Sequence, residues 1–190
     1  MMSQYEVLAF KNSKSWRQWL LKSHSNTEGV WLRIYKKASD ISSVSYAEAL
    51  DDALCFGWID GQKKKYDDVS YIQKFTPRRA RSMWSKRNIE HIERLTNDKL
   101  MTSAGITEVE KAKADGRWEE AYDSPSNMMV PDDFITAVKA DKKAFANYQL
   151  LKKSDLYSIG FKLQTAKKAE ARERRFLSLL EKLHKGESLH

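Results

Sequence analysis

Arg78, Arg79 and Arg81 sit close to Trp84 and Lys86, just after the run Phe75-Thr76-Pro77, and these are the side chains whose types and spacing point most directly to recognition chemistry. Guanidinium groups grip a phosphate or carboxylate through paired N–H donors, and an indole beside them can stack on a ring. Upstream, Trp58, Asp60 and Gln62 are spaced two apart, which in an extended strand sends all three to one side. Asp60 and Gln62 could read the polar edge of a ligand, or could lock the arginines through ion pairs and hydrogen bonds. A second basic surface is formed by Lys167, Lys168, Arg172 and Arg175, with Lys168, Arg172 and Arg175 at helical spacing. An ordinary solvated helix face is the default reading of that second group.

Other chemistries are poorly served. Four histidines (His24, His91, His184, His190) and the single Cys55 are scattered without ligand spacing, so no metal is expected and no cofactor. Cys55 ends the apolar run Ala53-Leu54-Cys55-Phe56 and reads as a core residue rather than a nucleophile. Glu48 and Asp52 are one helical turn apart and could share a proton, although solvated helix faces use such pairs far more often than hydrolases do. Phosphate-loop, dinucleotide and serine-hydrolase motifs are missing. The leading expectation is a binding protein without catalytic machinery, its ligand an anionic small molecule or nucleic acid. The alternatives are an enzyme on a small phosphorylated or carboxylated metabolite, with Asp60 or Glu48 as acid/base, and a protein–protein adaptor.

These residues need elements to hold them. Trp16, Trp19 and Leu20 recur at helical spacing behind Ser13 or Ser15, which predicts a first capped helix. Val30, Leu32 and Ile34 alternate as one face of a strand. Ser45 with Glu48 forms a capping box ahead of Ala49, Leu50 and Leu54. Residues 56–62 and 69–76 read as two more strands, the last stopped by Pro77. Helices follow through Ile89, Ile92 and Leu95, and over 105–118 to Trp118. Asp123-Ser124-Pro125-Ser126-Asn127 is the best linker. Beyond it lie helical patterns centred on Phe134 and Val138, on Phe145 and Tyr148, on a helix capped by Ser154-Asp155, and on one capped by Thr165 and stopped at Gly186. The expected fold is α+β, a small mainly antiparallel sheet packed with helices and followed by a C-terminal helical module. The expected division is an α+β domain over 1–122, a linker over 123–130 and the helical module over 131–186.

With 190 residues and 41% hydrophobic composition, the chain can bury a substantial core. The net charge of +8 is uneven: residues 61–87 hold nine Lys/Arg against two Asp, and residues 162–185 hold eight against three Glu. Such clustering favours an anionic partner. The opening residues lack the apolar run of a signal peptide, and no stretch is long and apolar enough to cross a bilayer, so the expected compartment is the cytoplasm. Oligomeric state is not encoded in any motif.

Several of these segments together resemble the YdeI/OmpD-associated family, also described as bacteriocin-protection proteins. They include Trp31-Leu32-Arg33-Ile34, Cys55-Phe56-Gly57-Trp58-Ile59-Asp60-Gly61-Gln62, Phe75-Thr76-Pro77-Arg78-Arg79 and Trp84-Ser85-Lys86. Tyr46-Ala47-Glu48-Ala49-Leu50, Lys113-Ala114-Asp115-Gly116-Arg117-Trp118, Ala121-Tyr122-Asp123-Ser124-Pro125 and the final Ala166-Lys167-Lys168 to Arg172-Glu173-Arg174-Arg175 belong with them. The resemblance spans about residues 28–186, with one departure at Ala171, where the family motif usually carries Thr. It implies a bacterial source, an α+β fold and a role in tolerance to bacteriocins or envelope stress, and supplies no catalytic residues.

Overall fold

The structure, a computed structural model, describes residues 5–124 and 126–189; Pro125 of the expected linker and the terminal His190 lie outside them. Four strands, β1 (Val7–Ala9), β2 (Val30–Tyr35), β3 (Trp58–Lys65) and β4 (Ser70–Pro77), form one sheet in the order β1-β2-β4-β3. The fold is α+β, with antiparallel pairing of β2 with β4 and of β3 with β4. The exception is β1, which runs parallel to β2 and is too short to show an alternating pattern in sequence.

The register places Val30 opposite Phe75 and Leu32 opposite Gln73, so the alternating face of β2 joins the face of β4 on which Phe75 and Gln73 are buried. Two helices, α1 (Ser13–Ser23) and α2 (Tyr46–Cys55), cover it. Trp16 and Leu20 of α1 are fully buried, the Trp16 ring lies 5.6 Å from Phe75, and its Nε1 donates to Ala49 O at 3.1 Å. Burial of a large aromatic stabilises by roughly 2–3 kcal/mol per side chain, and the hydrogen bond removes the cost of hiding the indole donor.

The helix starts obey local chemistry with one shift. Ser45 and Glu48 form the expected box on α2. Helix α1 is capped by Asn12, whose side chain accepts from Ser15 N–H, rather than by Ser13 or Ser15. Helices α3 (Lys86–Asn97) and α4 (Ser103–Ala114) follow. The latter starts earlier than expected because Thr102 caps it, and it ends before Trp118, which sits in the turn beyond. Thr102 Oγ1 also donates to Cys55 O at 2.6 Å, docking the start of α4 on the end of α2. Gly105 permits that approach: a Cβ there would lie 2.3 Å from Cys55 O.

The chain divides into two compact units. One runs to Trp84 and resumes over Asn88–Glu120; the other contains Ser85–Arg87 and everything from Ala121 on. The second unit is helical, with α5 (Asp132–Ala140), α6 (Lys142–Tyr148), α7 (Lys153–Gln164) and α8 (Ala169–Lys185) around Phe134, Val138, Ile159, Leu163, Leu179 and Leu183. Two expected caps are displaced here. Helix α7 starts after Lys152, and Asp155, now inside its first turn, accepts the Lys152 N–H at 3.0 Å. Thr165 closes α7 instead of opening α8, because its hydroxyl bonds back to Phe161 O. Gly186 ends α8 in the left-handed conformation, φ 69°, as expected. No helix among the described residues is long and apolar enough to cross a membrane.

Candidate functional site

The segment after β4 is a turn anchored at several points. Arg78 N–H donates to Gly57 O at 3.0 Å and Arg79 N–H to Ser82 Oγ at 2.9 Å, while Ser82 N–H closes back on Arg79 O. Arg78 is buried: its guanidinium carbon lies 3.5 Å above the centre of the Trp84 ring, and Nη1 donates to Met83 O. Trp84 in turn packs against Trp118 at 5.0 Å, and Lys113 Nζ sits 5.1 Å from the Trp118 ring. The order cation, indole, indole, cation suits the ring quadrupoles, whose negative faces attract charge. No acceptor reaches the buried Trp84 Nε1 among the described residues, so stacking rather than that donor holds the ring.

Arg117 completes the support. Its Nη1 donates to Ser82 O at 3.0 Å, and its Nε donates to Asp115 at 2.8 Å. Spacing marks neither Arg117 nor Trp118 as part of the site, since both lie more than thirty residues from the turn they brace. Trp118 enters the sequence reading as the end of a helix, and the run Lys113-Ala114-Asp115-Gly116-Arg117-Trp118 enters it through the family resemblance.

The arginines therefore divide into two roles. Arg78 and Trp84 are interior residues, 7% and 2% exposed, and form the floor of the turn. Arg79 and Arg81 are exposed, and among the described residues their guanidinium groups carry no hydrogen bond or ion pair. Lys86, grouped with them in sequence, belongs to the second unit and is spent on Asp123, whose carboxylate lies 2.7 Å from its ammonium. That bond and a second from Gln164 hold Asp123 below the usual carboxylate range.

Trp58, Asp60 and Gln62 do not form a common reading edge. Trp58 is 1% exposed, its Nε1 donates to His24 O and its ring meets Trp19 edge-on, so it is a core residue. Asp60 accepts the Tyr46 hydroxyl at 2.8 Å. Gln62 lies within an irregularity between Asp60 and Lys63, where the pairing steps from Phe75 to Gln73 and leaves Gly61 and Gln62 together opposite Lys74. A bulge of this kind interrupts the two-residue alternation on which the common edge depended.

The other candidates are occupied by structural contacts. Glu48 accepts from Ser45 Oγ and Ser45 N–H, which lowers its pKa below the ordinary value, the opposite of a general acid. Asp52 accepts from Ser13 Oγ and Arg17 Nη1, and no hydrogen bond joins it to Glu48 among the described residues. Burial pushes the Cys55 thiol up, against the direction a nucleophile needs. His91 Nδ1 meets Asp51 at 2.8 Å and His184 Nδ1 meets Asp141 at 2.6 Å.

On α8, Arg172 pairs with Asp133 at 2.8 Å and Arg175 donates to Lys162 O, so both strap the helix to its neighbours. Lys168 precedes the first turn of α8, which removes it from the expected helical face, and Lys167 lies before it.

Residues 8–108 match the family described as Domain of unknown function (DUF8412). Residues 127–186 match the family described as Bacteriocin-protection, YdeI or OmpD-Associated. No curated protein and no solved structure matches the chain.

Proposed function

Because the chain belongs to the DUF8412 family, whose description assigns no activity, we propose a function from the chemistry of the turn: the protein is a non-enzymatic binder of anionic ligands, held through Arg79 and Arg81. The observation that carries this reading is the contrast within the turn. Two guanidinium groups stand in solvent without an internal carboxylate, on a backbone fixed by Ser82, Arg117 and the Arg78–Trp84 stack. Most surface arginines lose side-chain entropy when they grip a ligand; a pre-fixed backbone lessens the further cost of ordering the loop. A linked role in tolerance to bacteriocins is proposed for the segment 127–186, in keeping with its family description, and with it a role under envelope stress.

The test is titration of labelled duplex DNA and of inorganic pyrophosphate into the wild type and into the Arg79→Ala/Arg81→Ala double variant. Both side chains are exposed, so the variant keeps the wild-type melting temperature while its affinity drops. For DNA, loss of two phosphate contacts flattens the log–log salt slope by about 1.8. Equal binding by both proteins, or no binding of either probe at low salt, overturns the proposal.

An enzymatic reading keeps one foothold, in Asp60 beside the Tyr46 hydroxyl. It requires turnover that disappears in Asp60→Asn, and a protein that binds anions yet loses nothing in that variant is not such an enzyme.

A further inference from the structure

The first unit contains a half-open cavity of about 530 Å3 between α3 and α4, bounded by the turn that carries Trp118. Its volume falls in the range of small-molecule sites, roughly 300–1,000 Å3. Buried Ile92 and Val109 line it together with the half-buried Trp118, and Ile106, 44% exposed, offers a further apolar surface that a ligand would cover. Thr96, Asn97 and Met101 add to the lining, and its charged residues are Glu93 from α3, and Glu110 and Lys113 from α4.

The charges decide what the cavity selects. Glu93 and Glu110 carry no ion pair or hydrogen bond among the described residues, although nearby acidic groups do: Glu108 pairs with Lys111, and Asp51 with Arg94. Lys113 is the only cation of the lining, and its ammonium already lies over the Trp118 ring. The lining therefore offers two unneutralised carboxylates beside an apolar floor and an indole, and both an ammonium group and an apolar body find complementary surface there.

We propose that this cleft binds a small organic cation with an apolar or aromatic body, an arylalkylamine or alkylamine, the amine facing Glu93 and Glu110 and the body lying on Ile92, Val109 and Trp118. The site differs in sign and in residues from the arginine turn and does not rest on it. An anionic ligand of the same shape meets two like charges and is disfavoured.

Isothermal titration of the full chain with tryptamine and with indole-3-propionate, which share the ring and differ in the sign of the end group, tests the proposal. Tryptamine is expected to bind saturably and at least tenfold more tightly than the carboxylate. The Glu93→Gln/Glu110→Gln variant, at two exposed positions, keeps its fold by circular dichroism and loses that preference, while Arg79→Ala/Arg81→Ala leaves amine binding unchanged. Thr96→Phe, which fills the cavity from an exposed lining position, abolishes binding. Equal or stronger binding of the carboxylate, no saturable amine binding at millimolar concentration, or an unchanged amine preference in the Glu-to-Gln variant overturns it.

Discussion

Single side chains in this protein gain their roles from what lies against them. Arg78 and Arg79 are adjacent in sequence, yet one is buried on an indole and the other stands in solvent. Arg78→Ala is expected to destabilise the protein by about 2 kcal/mol or more, because it removes a desolvated cation–π contact and leaves a void under the turn. Arg79→Ala, by contrast, changes stability by less than about 0.5 kcal/mol; urea denaturation of the two variants separates these outcomes. In the second unit the Arg172 guanidinium holds Asp133 below the usual carboxylate range. A depressed folded-state pKa stabilises above the ordinary Asp value, and the stabilisation is lost as pH falls through the depressed one. Asp133→Asn should therefore lower the melting temperature at neutral pH and flatten its acid dependence, the two curves converging in strong acid. Parallel curves would show that the pair contributes nothing.

Elements are joined here by their ends as much as by their faces. The start of α4 rests on the end of α2 through Thr102 and Cys55 O, and Gly105 leaves the room for it. Alanine is the better helix former by about 1 kcal/mol, so Gly105→Ala would stabilise an isolated helix. In this protein the added Cβ meets a carbonyl that cannot swing away, and overpacking of this kind costs about 1–3 kcal/mol. A net loss of stability, measured by chemical denaturation, is the expected result; a gain would mean that the two helices can separate freely. The same dependence on neighbours explains the displaced caps. Ser13, Thr165 and Ser154 are all competent capping residues, but Ser13 is already the first residue of α1 and spends its hydroxyl on Asp52, which leaves the cap to Asn12, and Thr165 bonds back to the Phe161 carbonyl.

At the scale of the whole molecule, the chain passes between the two units three times, because Ser85–Arg87 joins the residues from Ala121 on. Ser85 bridges Tyr122, Lys86 N–H donates to Tyr122 O, and the Lys86 side chain reaches Asp123. The second unit is thus completed by residues from far upstream. A fragment beginning at Ala121 retains the apolar core of α5–α8 and should be helical, but without the Lys86 ammonium its Asp123 carboxyl should titrate closer to the ordinary Asp value than in the full chain. Equal Asp123 titration in both, followed by NMR, would mean that the upstream segment contributes nothing there.

Periodicity, caps and breakers in the sequence were enough for the α+β class, for strands β2 and β4, for the boxed start of α2 and for the helical patterns after Pro131, because each follows from residues within a few positions of one another. The strand β1 was hidden, since three residues show no period and its pairing depends on a partner more than twenty residues away. Among the site residues, the sequence supplied the concentration of arginines but could not rank them: Arg78, Trp58 and Lys86 are engaged by Trp84, His24 and Asp123, contacts that only packing creates. Charge is written in the composition, whereas the freedom of a charge to meet a ligand is set by whichever groups the tertiary structure brings beside it.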